Sequence, residues 1–164
     1  MGQYYLLVNT SKRQFIRPHA FGDGAKLVEL ASGGLTLAAL AVLLADGNGR
    51  GGGDVRTNDP VVGSWAGDSV VFAGDYADPD RHGVMTASEG QPQRNLFKLA
   101  LAEWEDVSER VLNAMWSDGC LREQIEEALS EGSSVDRGQL ARLRSASEAR
   151  RAAAETPTRK RERV

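Results

Sequence analysis

The sequence predicts an α+β fold: a small, mostly antiparallel sheet packed on a buried central helix, followed by amphipathic C-terminal helices and a disordered basic tail. Segments rich in aromatic and branched residues open the chain and recur near its middle, whereas the apolar residues beyond position 95 follow a helical spacing. With 164 residues, of which 41% are hydrophobic, the chain can bury one core without cross-links. We expect one globular domain over residues 1–132, a marginal helical extension over 133–155 and a disordered tail over 156–164.

The N-terminal part predicts a hairpin and two helices. Residues 3–9 (QYYLLVN) and 14–17 (QFIR) have strand composition and flank a polar stretch, and Pro18 ends the second strand. Residues 25–31 predict a short helix. Residues 35–45 (LTLAALAVLLA) are apolar on every face, which is typical of a helix packed among other elements.

Two further strands are predicted after a glycine-rich segment, over residues 60–63 and 69–73. The string WAGD at 65–68 is echoed by FAGD at 72–75, which suggests two strand ends that each turn at a glycine. The polar residues 78–93 predict a connecting loop.

The C-terminal half is helical in pattern. Apolar residues recur at spacings of three and four from position 96 to 115, which predicts one continuous helix over 96–116 that ends at Gly119. A shorter amphipathic helix is expected over 121–130. Residues 133–155 have little to bury, so their helicity is expected to depend on a partner.

Charge and cysteine content restrict the location and the partners. Residues 1–136 hold 11 Lys and Arg against 20 Asp and Glu, whereas residues 137–164 hold 9 against 3. Cys120 is the only cysteine, which disfavours a zinc site and favours a reducing, cytoplasmic location. The longest apolar run is too short to cross a bilayer, so no membrane partner is expected.

The densest glycine segment reads DGNGRGGGD at residues 46–54. It lacks the Gly-Lys-Ser/Thr of a phosphate loop, and Arg50 and Thr57 stand where an EF-hand needs oxygen ligands, so both motifs are rejected. Three interpretations remain. The segment is a helix terminus with a mobile loop, an irregular Ca²⁺ or Mg²⁺ site, or a surface that recognises a macromolecule.

Two sets of candidate residues follow from these interpretations. The candidate metal ligands are carboxylates of the glycine-rich half, namely Asp46, Asp54, Asp68 and Asp75. The candidate contacts for a ligand or partner are Asn48, Arg50, Trp65, Asp75 and Tyr76. The Trp65 ring either packs in the core or stacks on a ligand.

No catalytic residue is assigned. His19, His82 and Cys120 lack a nucleophile and base in a recognisable pairing, so whether the protein is an enzyme is left open. Arg159, Lys160, Arg161 and Arg163 form a basic arm with two interpretations: it contacts phosphates without sequence readout, or it is a solvated arm that neutralises the acidic body of the chain.

Four strings carry a family resemblance: FGDG at 21–24, LLADGNGRGGGD at 43–54, GSWAGD at 63–68 and AGDYAD at 73–78. They resemble an uncharacterised family of short bacterial and phage proteins. This resemblance implies no established activity.

The preferred function is a non-catalytic interaction protein, of the kind that accessory factors of phages or mobile elements represent, which binds a host macromolecule, preferably a protein, through its Gly/Asp-rich loops. A first alternative is a divalent-cation-dependent enzyme acting on a phosphorylated substrate. A second is an auxiliary nucleic-acid binder that uses the basic arm. The oligomeric state is left open.

Overall fold

The computed structural model describes residues 2–48, 55–79, 94–132 and 134–155. The strands within these ranges are β1 (Tyr5–Asn9), β2 (Gln14–Ile16), β3 (Val70–Gly74) and β4 (Glu105–Asp106). The helices are a 3-10 helix (Pro18–Phe21), α1 (Leu27–Ala31), α2 (Leu35–Leu44), α3 (Leu96–Glu103), α4 (Ser108–Ser117), α5 (Gly119–Ser130) and α6 (Ser134–Glu155).

The strands form one sheet in the order β3-β1-β2-β4. β1 pairs antiparallel with both β2 and β3, and β2 pairs parallel with β4. The sheet is therefore mixed but mostly antiparallel, and the predicted α+β class is confirmed. The predicted N-terminal hairpin is also confirmed, with Leu7 opposite Ile16.

One predicted strand is wrong. Residues 60–63 form turns, because the N–H groups of Val62, Ser64, Ala66 and Asp68 each bond to the carbonyl three residues earlier. These local bonds occupy the backbone groups that a strand would offer to a neighbour. The first Ala-Gly-Asp string thus lies in a series of turns before β3, and only the second marks a strand end, with Ala73 and Gly74 in β3 and Asp75 directly after it.

Helices cover both faces of the sheet. Leu7 and Ile16 belong to the larger core cluster, which includes residues of α2, α4, α5 and α6. Leu6 and Val8 point to the opposite face and belong to a smaller cluster with Leu96 and other residues of α3. This division follows from the strand's two-residue period, which sends neighbouring side chains of β1 to opposite faces.

The predicted continuous helix over 96–116 is also wrong, because the two faces of the sheet are covered by separate helices. α3 packs on one face of the sheet and α4 on the other, so the chain crosses the sheet edge between them. At the crossing, Glu105 N–H donates to the Arg13 carbonyl at 3.1 Å and Val107 N–H to the Phe15 carbonyl at 3.0 Å. The apolar residues keep a spacing of three and four on both sides of the break between α3 and α4. Each helix has its own apolar face, and the two faces are buried on opposite sides of the sheet.

α2 is the predicted central helix, but it is not buried on every side. Thr36, Ala39 and Leu43 are fully buried, whereas Ala41 and Leu44 are exposed. Its first turn is capped by a distant residue, since the Asp23 carboxylate accepts the Thr36 N–H at 2.6 Å. A carboxylate at this end satisfies a backbone donor and interacts favourably with the helix dipole.

The remaining helices differ from the sequence predictions in detail. α1 buries Leu30 but exposes 49% of Leu27 and 80% of Val28. Gly119 begins α5, since α4 already ends at Ser117. The predicted helices over 121–130 and 133–155 are confirmed in outline, and α6 buries Leu140 and Leu143 in the larger core cluster.

The C-terminal end of α2 is joined to the turns that follow the glycine-rich segment. Gly63 N–H donates to the Val42 carbonyl at 2.9 Å, and Trp65 N–H donates to the Leu43 carbonyl at 2.8 Å. The last carbonyls of a helix have no partner within the helix, so these bonds satisfy them. Gly63 approaches closely, because a Cβ at this position would lie 2.7 Å from the Ala45 carbonyl oxygen.

We predict that Gly63→Ala lowers the free energy of unfolding by about 2 kcal/mol or more, because it combines left-handed backbone strain with a backbone clash. Gly67→Ala is the matched control. Gly67 also has a positive φ of 81°, but a Cβ there meets nothing within 4 Å. The control should therefore cost only about 1 kcal/mol. Urea denaturation of both variants measures the difference, and equal losses would contradict the close approach.

Candidate binding cleft at the end of α2

The candidate site is a cleft of about 620 Å³ between the C-terminal end of α2 and the segment over residues 55–63. Its described polar side chains are Asp46, Asn48, Arg56, Thr57, Asn58 and Asp59. Ala45, Gly47 and Gly63 add small residues, whose side chains cover little of their own backbone. The cleft therefore offers backbone and side-chain hydrogen-bonding groups on a base that α2 supports.

One hydrogen bond between the two segments and one within the second segment hold the walls of the cleft. The Asn48 amide donates to the Val55 carbonyl at 2.8 Å. On the second wall, the Asp59 carboxylate accepts the Val61 N–H at 2.9 Å, which orders the turn at Pro60. Both walls are thus fixed by contacts within the chain.

A buried carboxylate connects this cleft to the helical part of the core. Asp118 is only 2% exposed, and its carboxylate accepts the Arg56 N–H at 2.8 Å and the Leu121 N–H at 3.1 Å. The second bond caps the first turn of α5. One side chain therefore holds the start of the second wall against α5.

The structure does not bring the described candidate metal ligands together. Asp46 is exposed at the cleft, Asp68 precedes β3, and Asp75 follows it at the opposite end. The extended chain between Asp68 and Asp75 spans roughly 20 Å. Within the described ranges, no three His, Cys, Asp or Glu side chains are grouped as a metal ion would require. Asp54 lies outside the described residues, so the other three provide no support for the predicted site.

Asp68 is instead bound to the hairpin turn. Its Oδ2 accepts hydrogen bonds from the Lys12 ammonium and from the Asn9 amide, both at 2.8 Å. The bond from Lys12, followed by that from Asn9, lowers the pKa of Asp68. Lys12 also donates to the Ser64 carbonyl. This cluster therefore attaches the turns before β3 to the β1–β2 hairpin.

Asp75 serves the other end of β3. Its Oδ1 accepts the Tyr4 N–H at 3.1 Å, and its carbonyl accepts the Asn95 amide at 2.8 Å. Asn95 in turn caps α3 by accepting the Lys98 N–H. The structure thus gives Asp75 a role in closing the sheet and positioning α3.

Of the candidate contact residues, only Asn48 is a described part of the cleft lining. Trp65 is fully buried, and its Nε1–H donates to Gln14 Oε1 at 2.9 Å, so its ring packs in the core. Tyr76 is 64% exposed but does not line the cleft. Arg50 lies outside the described residues.

The remaining candidates are isolated or undescribed. The His19 Nδ1–H donates to the Asp23 carbonyl at 3.0 Å, which fixes its ring beside the cap of α2. His82 and the tail residues Arg159, Lys160, Arg161 and Arg163 lie outside the described residues, and the Cys120 side chain is likewise undescribed. The predicted nucleic-acid contacts of the tail stay a prediction.

Sequence reasoning missed the second wall of the cleft. Thr57, Asn58 and Asp59 precede Pro60, a composition that is typical of a turn. That signal places a turn after the glycine-rich segment. It does not indicate that the turn returns to the end of α2.

No family model, curated protein or solved structure matches this chain. In the part of the chain that the structure describes, none of the helices combines the length and the apolar character needed to cross a bilayer.

We predict that the Lys12–Asp68 contact stabilises the fold in a pH-dependent way. The pKa of Asp68 is lower in the folded state than the ordinary value of about 3.9 in the unfolded chain. Its stabilisation is therefore present above that ordinary value and is lost as the pH falls through the lower, folded pKa. Thermal unfolding of Asp68→Asn should consequently depend less on pH than that of the wild type below about pH 4.

Asp78→Asn is the control, because Asp78 is exposed and has no hydrogen bond or ion pair with another described residue. Its melting temperature should follow the wild-type pH curve. If Asp68→Asn follows that curve as well, the contact does not stabilise the folded state.

Proposed function

We propose that this chain is a non-catalytic binding protein that holds a macromolecular partner, itself a protein, at the cleft beside the end of α2. The observation that carries the proposal is the composition of the cleft. Its walls are two chain segments that internal hydrogen bonds hold in place, and they present backbone groups and short polar side chains. Such groups suit the recognition of another chain by hydrogen bonds and shape.

The position of the cleft also favours this proposal. It adjoins the glycine-rich segment of the sequence, and its lining begins at Ala45, directly after the end of α2. Binding residues occur disproportionately on loops that a rigid scaffold positions. The backbone hydrogen bonds from Gly63 and Trp65 to the last carbonyls of α2 attach the second wall to that scaffold.

The alternative of a cation-dependent enzyme receives less support. Such an enzyme needs several carboxylates around one ion, whereas Asp68 and Asp75 each hold structural hydrogen bonds at opposite ends of β3. No observation on the described residues favours this chemistry over binding.

The proposal includes a biological setting. The lone cysteine supports a cytoplasmic protein, and the resemblance of the loop strings to short bacterial and phage proteins supports an accessory factor that acts on a bacterial host component.

We predict that the double variant Asp46→Arg/Asn58→Arg loses the partner while keeping its fold. Both residues line the cleft and are exposed, and neither side chain has a hydrogen bond with another described residue. Two long cationic side chains would obstruct the cleft and reverse its charge. In affinity capture from a bacterial host lysate, we expect the specific protein to be depleted at least about tenfold, which corresponds to losing one strong contact.

The control is Glu123→Arg, a charge reversal at an exposed position of α5 outside the cleft. It should retain the same protein as the wild type. Melting temperatures check that all three chains are folded. Equal retention of every protein by the three chains would contradict the proposed function.

A further inference from the structure

A second groove lies among the 3-10 helix, α4 and α6, and it shares no lining residue with the cleft at α2. Its volume is about 740 Å³, which lies in the range of small-molecule sites. Every residue that lines it belongs to the described part of the chain.

The floor of this groove is apolar and its rim is charged. Leu112 of α4 and Leu143 of α6 are buried beneath it, and Ala146 adds a small, half-buried surface. The exposed rim carries Arg17, Arg142 and Arg150. The polar end of a ligand in this groove would contact guanidinium groups at the rim, and its carbon portion would contact the aliphatic side chains of the floor.

α6 brings two of these arginines to one side. Arg142, Ala146 and Arg150 follow a four-residue spacing, so they lie along one face of the helix. The alanine between the two arginines leaves space that a longer side chain would fill. The Arg150 Nη2 donates to the Asn113 carbonyl oxygen Oδ1 at 3.2 Å, which orients that guanidinium across the groove towards α4.

Only one of the three arginines at the rim forms an ion pair with another described residue. Asp106 pairs with Arg17 at 2.6 Å and also accepts the Ser108 N–H, so its carboxylate is already engaged. Among the described residues, neither the Arg142 guanidinium nor the opposing Glu109 carboxylate has a hydrogen-bond or ion-pair partner. Arg142 and Arg150 therefore leave an excess of positive charge over Glu109.

We propose that this groove binds a small phosphate-bearing molecule, with Arg142 and Arg150 contacting the phosphate and the apolar floor contacting its carbon portion. The planar guanidinium presents paired donors that match phosphate oxygens. The described lining holds no Phe, Tyr or Trp and its one ring is the His19 imidazole, so the groove offers little of the aromatic surface on which successive bases of a nucleic-acid strand would stack. These features distinguish the site from the phosphate contacts predicted for the basic tail.

The test is isothermal titration of the full chain with inorganic pyrophosphate, with sulfate at matched ionic strength as the comparison. We expect saturable pyrophosphate binding that is about tenfold weaker in Arg142→Gln and in Arg150→Gln, because each loses a charge-assisted hydrogen bond. Arg144→Gln and Arg151→Gln are matched controls, since both arginines lie on α6 but outside the groove. They should bind pyrophosphate like the wild type.

A gain-of-affinity variant makes the test independent of damage to the fold. Glu109→Gln removes the opposing carboxylate, so pyrophosphate should bind several-fold more tightly than to the wild type. The proposal is overturned if the wild type does not bind pyrophosphate, if sulfate binds equally well, or if the control variants lose as much affinity as the groove variants. Displacement of pyrophosphate by oligothymidylate, with loss of that competition in Arg142→Gln, would also overturn it by assigning the groove to a nucleic-acid strand.

Discussion

The covering of both faces of β1 is the constraint on which the rest of the structure depends. β1 lies between β3 and β2, and its neighbouring side chains Leu7 and Val8 enter different core clusters. Each face needs its own helical cover, because exposed apolar side chains would lose the free energy of burial. The chain therefore places α3 on one face and then crosses the edge of the sheet to place α4 on the other. The short parallel pairing of β4 with β2 is that crossing, and it brings the start of α4 beside Arg17.

The aspartates of this acidic chain serve several separate structural sites, most of which are backbone N–H groups. Asp23 caps α2, Asp118 caps α5 and holds Arg56, and Asp75 closes the end of β3. Asp59 orders a turn, and Asp68 binds the hairpin. A carboxylate suits each position because it accepts hydrogen bonds from N–H groups that would otherwise lack partners. Five of the described aspartates thus hold helix ends, strand ends or turns, and two of these five adjoin the cleft at α2: Asp59 in its lining and Asp118 through Arg56.

The basic character of α6 is likewise divided by its environment. Arg144 pairs with Glu126 of α5 at 3.3 Å, while Arg142 and Arg150 face the groove beside α4. Leu140 and Leu143 fasten the helix to the larger core cluster, so the partner on which its helicity was expected to depend is the body of the protein itself. One helix therefore serves packing, surface ion pairing and a cationic groove. Its sequence shows only that it is basic and weakly amphipathic.

The sequence by itself determined the elements whose signals are local. The hairpin of β1 and β2, the helix α2 and the helix α5 follow from composition, spacing and turn residues, which act within a few positions along the chain. The glycine-rich segment also marked the neighbourhood of the cleft, because Asp46 and Asn48 belong to its lining. The break between α3 and α4 left no such signal, since the apolar spacing of two helices that pack on opposite faces reads as one helix.

Only the tertiary structure decided which distant groups meet. Asp23 reaches Thr36, Gly63 reaches Val42, and Asp118 reaches Arg56 through contacts that no sequence period encodes. Such contacts depend on where whole elements pack, and that packing is decided by which apolar faces are buried together. The same packing separates Asp68 from Asp75 and joins Arg17 to the arginines of α6. Residue types indicated which chemistry was available to this chain, and the packing of its helices on the sheet decided where that chemistry is assembled.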